Sequence, residues 1–360
     1  MKKAIIAMSG GVDSSVAALL TRESGDDCIG ATMKLFQNED AGISREKTCC
    51  SVDDIEDARR VCFKTGIPFY VFNFTERFRK EVMERFVESY KKGWTPNPCI
   101  DCNRYLKFDQ LLHRMKETGR DYIVTGHYAR TGFDEKRGRY YLKKALDPAK
   151  DQSYVLYTLT QEQLSHVKFP LGELKKEEVR EIARQNGFVN ARKRDSQDIC
   201  FVPDGDYTAF IERFSGDRPV PGNFVDKNGN ILGQHEGITH YTIGQRRGLR
   251  LPAKSHIYVL QICPDTNQVV LGSNEELFSR NLTAGEVNLI SCDSLKEPVR
   301  VSAKIRYKHV EQPALAWQTE DGKLHVRFDE PQRAITKGQA VVLYNGDEVL
   351  GGGVIESTEA

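Results

Sequence analysis

Several short stretches of this 360-residue chain carry side chains able to do chemistry. The first is Ser9-Gly10-Gly11-Val12-Asp13-Ser14-Ser15. Two adjacent glycines let the backbone approach an anion closely, and the serines add hydroxyl donors. A helix starting there would point its free N–H groups and positive dipole end into the same space. Such a loop is a phosphate cradle. It lacks the Lys-Ser/Thr ending of a Walker A loop and the Gly-x-Gly-x-x-Gly spacing of a dinucleotide turn. A capped Gly-Gly turn without a ligand is the plainer alternative.

The other stretches carry thiols. Thr95-Pro96-Asn97-Pro98-Cys99-Ile100-Asp101-Cys102-Asn103 is a proline-stiffened turn with two cysteines three positions apart. Asp195-Ser196-Gln197-Asp198-Ile199-Cys200-Phe201 sets a third between acidic and apolar residues. Cys102 and Cys200 are 98 positions apart, so only the fold can unite them. A lone Cys-x-x-Cys serves zinc, redox chemistry or neither, and no second one completes a four-ligand zinc site. Cys28, Cys62, Cys263 and Cys292 read as small hydrophobes, and Cys49-Cys50, before an acid-rich helix, as structural. Nine cysteines, an odd number spread over a long chain, argue for reduced thiols rather than a secreted disulfide framework.

The elements that must position these groups are legible as periodicity. Ala4–Met8, Cys28–Leu35, Pro68–Phe74 and Tyr122–Gly126 read as strands, Ser14–Glu23, Asp53–Thr65 and Glu76–Tyr90 as helices. That rhythm predicts βαβ units around a mostly parallel sheet, an α/β domain. Residues 160–187 read as an α-rich extension, with a helix over Glu177–Asn186 stopped by Gly187. Beyond about residue 215, Pro221-Gly222, Asn228-Gly229, Asp321-Gly322 and Asn345-Gly346 separate short alternating runs such as Val299–Ile305 and Leu324–Phe328. This predicts a small β-rich module and a C-terminal β-barrel. The expected domains are residues 1–212, 213–275 and 276–360.

Composition bounds the class. With 52 basic against 51 acidic side chains and a mean hydropathy of -0.51, the chain reads as soluble and globular. Nothing approaches 18 consecutive apolar residues, and Met1-Lys2-Lys3 runs into an apolar strand rather than a signal-peptide core, so the expected place is the cytoplasm with no membrane partner. Charge is uneven: residues 130–194 hold 15 basic and 9 acidic side chains, whereas residues 195–360 hold 17 and 23. A basic island of this kind binds a polyanion or is simply a set of solvated helix faces.

The phosphate loop resembles the signature of the PP-loop ATP pyrophosphatases, which hold ATP while a substrate carbonyl oxygen is adenylated. Over essentially its whole length the sequence further resembles the tRNA-specific 2-thiouridylases. The resemblance is carried by Thr95-Pro96-Asn97-Pro98, Thr125-Gly126-His127-Tyr128-Ala129-Arg130, Lys150-Asp151-Gln152-Ser153-Tyr154, the Cys200 stretch, Gly244-Gln245-Arg246-Arg247-Gly248-Leu249, Lys304-Ile305-Arg306-Tyr307 and Leu350-Gly351-Gly352-Gly353.

That family implies ATP- and Mg²⁺-dependent conversion of the tRNA wobble uridine, position 34, to 2-thiouridine by a sulfurtransferase, with AMP and pyrophosphate released. It implies that Cys200 carries sulfur as a persulfide, that Cys102 forms a transient disulfide with it or helps release the sulfur, and that a sulfur-relay protein or sulfide source feeds a monomeric enzyme. Ala7, Met8, Ser9, Gly10, Gly11, Val12, Asp13 and Ser14 would contact ATP, Asp13 helping with Mg²⁺, and Met33 and Gly126 would line the adenosine site. Asn97, Pro98 and Cys99 would surround a flipped-out base. His127, Lys150, Asp151, Gln152, Arg306, Tyr307 and Gln339 would touch tRNA.

Cys99 departs from one common form of the family, which places an acid or base Asp there; Asp101 could take the role, or it is not needed. Alternatively Cys99, Cys102 and Cys200 would ligate an iron–sulfur cluster, as in related thiolation enzymes. Two other classes stay open: a PP-loop enzyme of small-molecule metabolism, and a non-catalytic RNA-binding or zinc protein.

Overall fold

The computed structural model describes residues 1–37, 52–193, 199–252 and 256–359. Its centre is a parallel five-stranded sheet in the order β3-β2-β1-β4-β7, formed by β1 (Lys3–Ala7), β2 (Asp27–Lys34), β3 (Phe69–Asn73), β4 (Tyr122–Val124) and β7 (Val167–Lys168). The central strand is apolar on both sides because both sides are covered. Ile5 and Ala7 enter one core, while Ala4, Ile6 and Met8 enter another. Helices α1 (Val12–Glu23) and α2 (Val52–Thr65) follow β1 and β2 much as the periodicity predicts. The expected helix after β3 is α3, residues 75–91, with a wider π-helical turn in its middle.

The stretch 95–103, expected as a proline-stiffened turn, opens a helix at residue 98. Asn97 accepts a hydrogen bond from the Cys99 N–H at 3.2 Å, and Pro98 occupies the first turn, where its missing donor is harmless. The pair therefore starts helix α4, residues 98–117, of which Cys102–Gln110 is π-helical.

A second departure follows β4. Before the helical extension expected from residue 160, residues with no expected element form a hairpin, β5 (Arg130–Asp134) and β6 (Arg139–Lys143). Helices α5 (Gln161–Ser165) and α6 (Lys176–Gln185) then flank β7, and α7 (Tyr207–Ser215) leads into the β-rich part.

There β8 (Gly222–Val225), β9 (Ile231–His235), β10 (Tyr258–Cys263) and β11 (Gln268–Gly272) make a four-stranded sheet. Strands β12 (Phe278–Leu289), β13 (Val299–Lys304), β14 (Gln312–Gln318), β15 (Leu324–Arg333), β16 (Ala340–Asn345) and β17 (Glu348–Glu359) close into a barrel through β12–β17 pairing. The hairpin extends this barrel's sheet, with Lys143 opposite Glu348.

The Asn-Gly and Asp-Gly turns behave as their chemistry requires, Gly229, Gly322 and Gly346 all having positive φ. Among the described residues no helix is long and apolar enough to cross a membrane.

Candidate functional site

The phosphate loop lies at the C-terminal edge of β1, where ligands of open α/β sheets bind. Its shape is held from within: Ser14 Oγ donates to the Gly11 carbonyl at 3.0 Å and accepts from Ser9 N at 3.2 Å. Gly10 has φ +76 and packs on the backbone of Asp54, so a side chain there meets both backbone strain and a clash. Gly126, just past β4, abuts the start of α1: a Cβ there would lie 2.7 Å from Ser14 N. Met33, near the end of β2, packs against the two cores nearby. Ala7–Ser14, Met33 and Gly126 therefore share one sheet edge.

Three partners of this loop have no local sequence signal. Asn190 Nδ2 donates to the Gly10 carbonyl and to Ser15 Oγ, both at 2.9 Å. Lys176 Nζ reaches both carboxylate oxygens of Asp13, and the Tyr128 hydroxyl donates to one of them at 2.8 Å. Asp13 is thereby occupied in bracing the loop against α6. Any Mg²⁺ held with the help of Asp13 would share a carboxylate that already accepts from Lys176 and Tyr128.

Two of the thiols pack on one core, which Met33 near the end of β2 also touches. Cys102 belongs to the core formed by Leu35, Phe78, Phe86 and Phe210, and Cys200 packs against that same core. Cys200 is anchored by its neighbour Phe201, only 1% exposed, whose ring lies 5.7, 5.4 and 5.0 Å from those of Phe78, Phe86 and Phe210. Each such contact contributes about 1 kcal/mol beyond area burial. Residues 195–198 of the motif lie outside the described residues, as do Cys49 and Cys50.

Cys99 is exposed, Cys200 half-buried and Cys102 buried. Burial pushes the Cys102 thiol up to about 11, although the Lys107 ammonium draws it the other way. Among the described residues no three His, Cys, Asp or Glu side chains are gathered to hold a metal, so the iron–sulfur reading of Cys99, Cys102 and Cys200 finds no support in the arrangement.

Asp101 is driven up to about 6 by burial, against the pull of Arg85 3.6 Å away. With Asn97 it lines a cavity of about 190 Å³ between the end of α3 and the barrel. The barrel also braces the turn before α4. Thr95 N donates to the Lys337 carbonyl at 2.8 Å, and Gln339 Nε2 donates to the Thr95 carbonyl at 2.7 Å.

The residues expected to touch tRNA fall into two groups. The Tyr307 hydroxyl donates to the Asp151 carbonyl at 3.2 Å and Gln152 Oε1 accepts from Tyr128 N at 3.0 Å, so Asp151, Gln152, Arg306 and Tyr307 are brought near one another around Tyr154. Lys150 lies half-buried on the same segment. His127 stands apart: it is 7% exposed between Phe108 and Phe169, hydrogen-bonded to Thr125, and burial holds it well below the usual imidazole range. Lys107, 3.5 Å from His127 and near Cys102, is a functional candidate that sequence spacing did not reveal.

Family comparison agrees with this geometry. Residues 2–204 match a tRNA methyl transferase HUP domain, residues 208–273 a tRNA methyl transferase PRC-barrel domain, and residues 279–355 an aminomethyltransferase beta-barrel domain. The tRNA-specific 2-thiouridylase MnmA of Clostridioides difficile (strain 630) is 52% identical over 357 residues, covering 99% of each chain. MnmA 1 of Thermoanaerobacter pseudethanolicus is 52% identical over 355 residues, covering 98% of each. At this identity along the entire length, the chain belongs to the tRNA-specific 2-thiouridylase family.

Proposed function

We propose that this enzyme converts the wobble uridine of tRNA to 2-thiouridine, with the phosphate loop presenting ATP and Cys200 presenting sulfur. The observation that carries the reading is that Cys102 and Cys200, 98 positions apart, share one packed core beside the sheet edge bearing the loop.

The uridine O2 attacks the α-phosphorus and pyrophosphate leaves, which turns an unreactive carbonyl oxygen into an AMP leaving group. The terminal sulfur of a Cys200 persulfide then bonds to C2 as AMP departs. The Cys102 thiolate attacks the Sγ of Cys200, the S–S bond breaks toward the nucleoside, and a Cys102–Cys200 disulfide remains for an external thiol to reduce. Buried at its raised pKa, Cys102 needs a rearrangement or a proton acceptor before that step. Asp101, titrating near neutrality, is placed on the same helix to serve. Mg²⁺ would supply charge neutralisation on the polyphosphate.

A sulfur-relay protein hands sulfane sulfur to the Cys200 thiolate, or sulfide attacks the Cys102–Cys200 disulfide at Cys200, leaving a Cys200 persulfide and releasing the Cys102 thiol; the monomer acts in the cytoplasm. A PP-loop synthetase of small-molecule metabolism would need neither thiol.

The test is mass spectrometry of wobble nucleosides after incubation of ATP, a persulfide sulfur donor and unmodified transcript with each variant. Cys200→Ser and Cys102→Ser should each abolish 2-thiouridine while RNA-dependent pyrophosphate release continues. Retained thiolation in Cys200→Ser would overturn the persulfide role.

A further inference from the structure

Several basic side chains of the barrel, Arg280, Arg300 and Lys323 among them, face a carboxylate. Among the described residues Arg306 and Arg333 have no such partner. Arg306, which follows β13, donates through Nη1 to the backbone carbonyl of Arg333 at 3.4 Å. Arg333, the last residue of β15, is held by Asn274 Oδ1 at 3.0 Å and lies with its guanidinium carbon 5.2 Å from the Tyr258 ring centre. These contacts orient a planar fork without neutralising it.

Half-burial and the charge of Arg333 both pull the Arg306 guanidinium below its usual range, the signature of two cations facing each other without an anion between them. Beside them His309 is depressed to about 4 by burial and by Arg306 and Lys304, and its Nδ1 is buried with no hydrogen-bond partner. The Gly244 turn closes over the pair: a Cβ there would lie 3.5 Å from Arg333 Nη1 and 2.9 Å from the Ala334 methyl. That turn carries exposed Arg246 and Arg247.

We propose that Arg306 and Arg333 form a seat for a phosphodiester of the RNA backbone, at the seam between the four-stranded sheet and the barrel. Guanidinium forks match phosphate oxygens in bidentate geometry, and one bridging phosphate would relieve the like-charge contact. The seat lies next to Tyr307, whose hydroxyl donates to the Asp151 carbonyl at 3.2 Å, so a phosphate held here lies beside the Asp151–Gln152 segment rather than at a distant face. Phosphate contacts of this kind set register and carry no sequence preference of their own. The seat therefore locks both C-terminal modules onto one strand. This inference rests on the tRNA reading above and assigns Arg333, which that reading does not use, to the backbone.

The experiment is equilibrium binding of unmodified tRNA transcript to the full chain between 50 and 300 mM salt. The variants are Arg333→Gln, Arg306→Gln and Arg333→Lys. Each charge-removing change should weaken binding about five- to tenfold near 0.1 M salt and flatten the plot of log affinity against log salt by about one ion. Arg333→Lys should keep the slope, and the KM for ATP should not move. A wild-type slope in both Gln variants would overturn the seat while leaving the thiolation reading intact. Loss of wild-type binding or thiolation would instead remove the reading beneath it. If Arg333→Gln does not fold, the Arg306→Gln slope alone decides.

Discussion

The ammonium of Lys176 lies 2.7 and 2.8 Å from the two carboxylate oxygens of Asp13, across 163 residues of sequence. It ties the first helical turn after the phosphate loop to the N-terminus of α6, and the Tyr128 hydroxyl shares the same carboxylate. Lys176 is 9% exposed and Asp13 30%, so the pair is screened on one side only.

Lys176→Met would leave that carboxylate without its cation inside the loop. The expected cost is about 2 kcal/mol, below the usual range for a fully buried pair because Asp13 is partly solvated. KM for ATP should rise about tenfold with a smaller change in kcat. Adding Asp13→Asn should recover part of the stability, a coupling that denaturant melts of the four proteins would measure. Additive losses would show that the two residues act independently.

Cys102 offers a direct reading of its burial. With the thiol raised to about 11, its alkylation at pH 8 should be at least about tenfold slower than that of an exposed thiol, and the rate should climb about tenfold per pH unit until that value. Peptide mapping after timed iodoacetamide exposure gives the rates. Labelling of Cys102 as fast as Cys99 would contradict the packed position.

Asp101 ties pH to stability. Burial raises its carboxyl to about 6, so the folded protein holds this proton more tightly than the unfolded chain does. Stability from the protonated form is present below about pH 4 and is lost as pH rises through 6, at roughly 2 to 3 kcal/mol. Asp101→Asn should melt higher than the parent at pH 8 and level with it at pH 4. A constant difference across that range would mean that the carboxyl is not perturbed.

The basic hairpin supplies the contrasting case. Arg137 contacts both oxygens of Glu348 at 2.6 and 2.9 Å, Arg130 meets Asp347 at 2.8 Å and Arg139 meets Asp293 at 2.6 Å. These charges join the hairpin to the acidic barrel, so the island expected to grip RNA is largely matched within the molecule. Arg137→Gln should cost under about 1 kcal/mol, as exposed pairs do, and leave tRNA affinity and its salt slope within twofold of the parent. A drop comparable with that of Arg333→Gln would return Arg137 to the RNA interface.

What was legible in the sequence was local. Gly10-Gly11 after an apolar run states a strand, a close backbone approach and a helix start in consecutive residues, and β1 and α1 form accordingly. The Asn-Gly and Asp-Gly turns declare their hairpins because positive φ is a property of the residue itself. The α4 start had a readable signal, Asn97 as cap and Pro98 in the first turn, which the neighbouring prolines disguised as a stiff loop.

The sequence by itself determined the first alternating strands and helices, the phosphate loop and the identity of the thiols, since each depends on contacts between near neighbours. Only the tertiary structure decided that Asp13 binds Lys176, that the hairpin joins the barrel, that Cys102 and Cys200 share a core, and that Arg306 faces Arg333 rather than a carboxylate. Charge pairing and burial act through space, and residues tens to hundreds of positions apart leave no periodicity from which their meeting could be read.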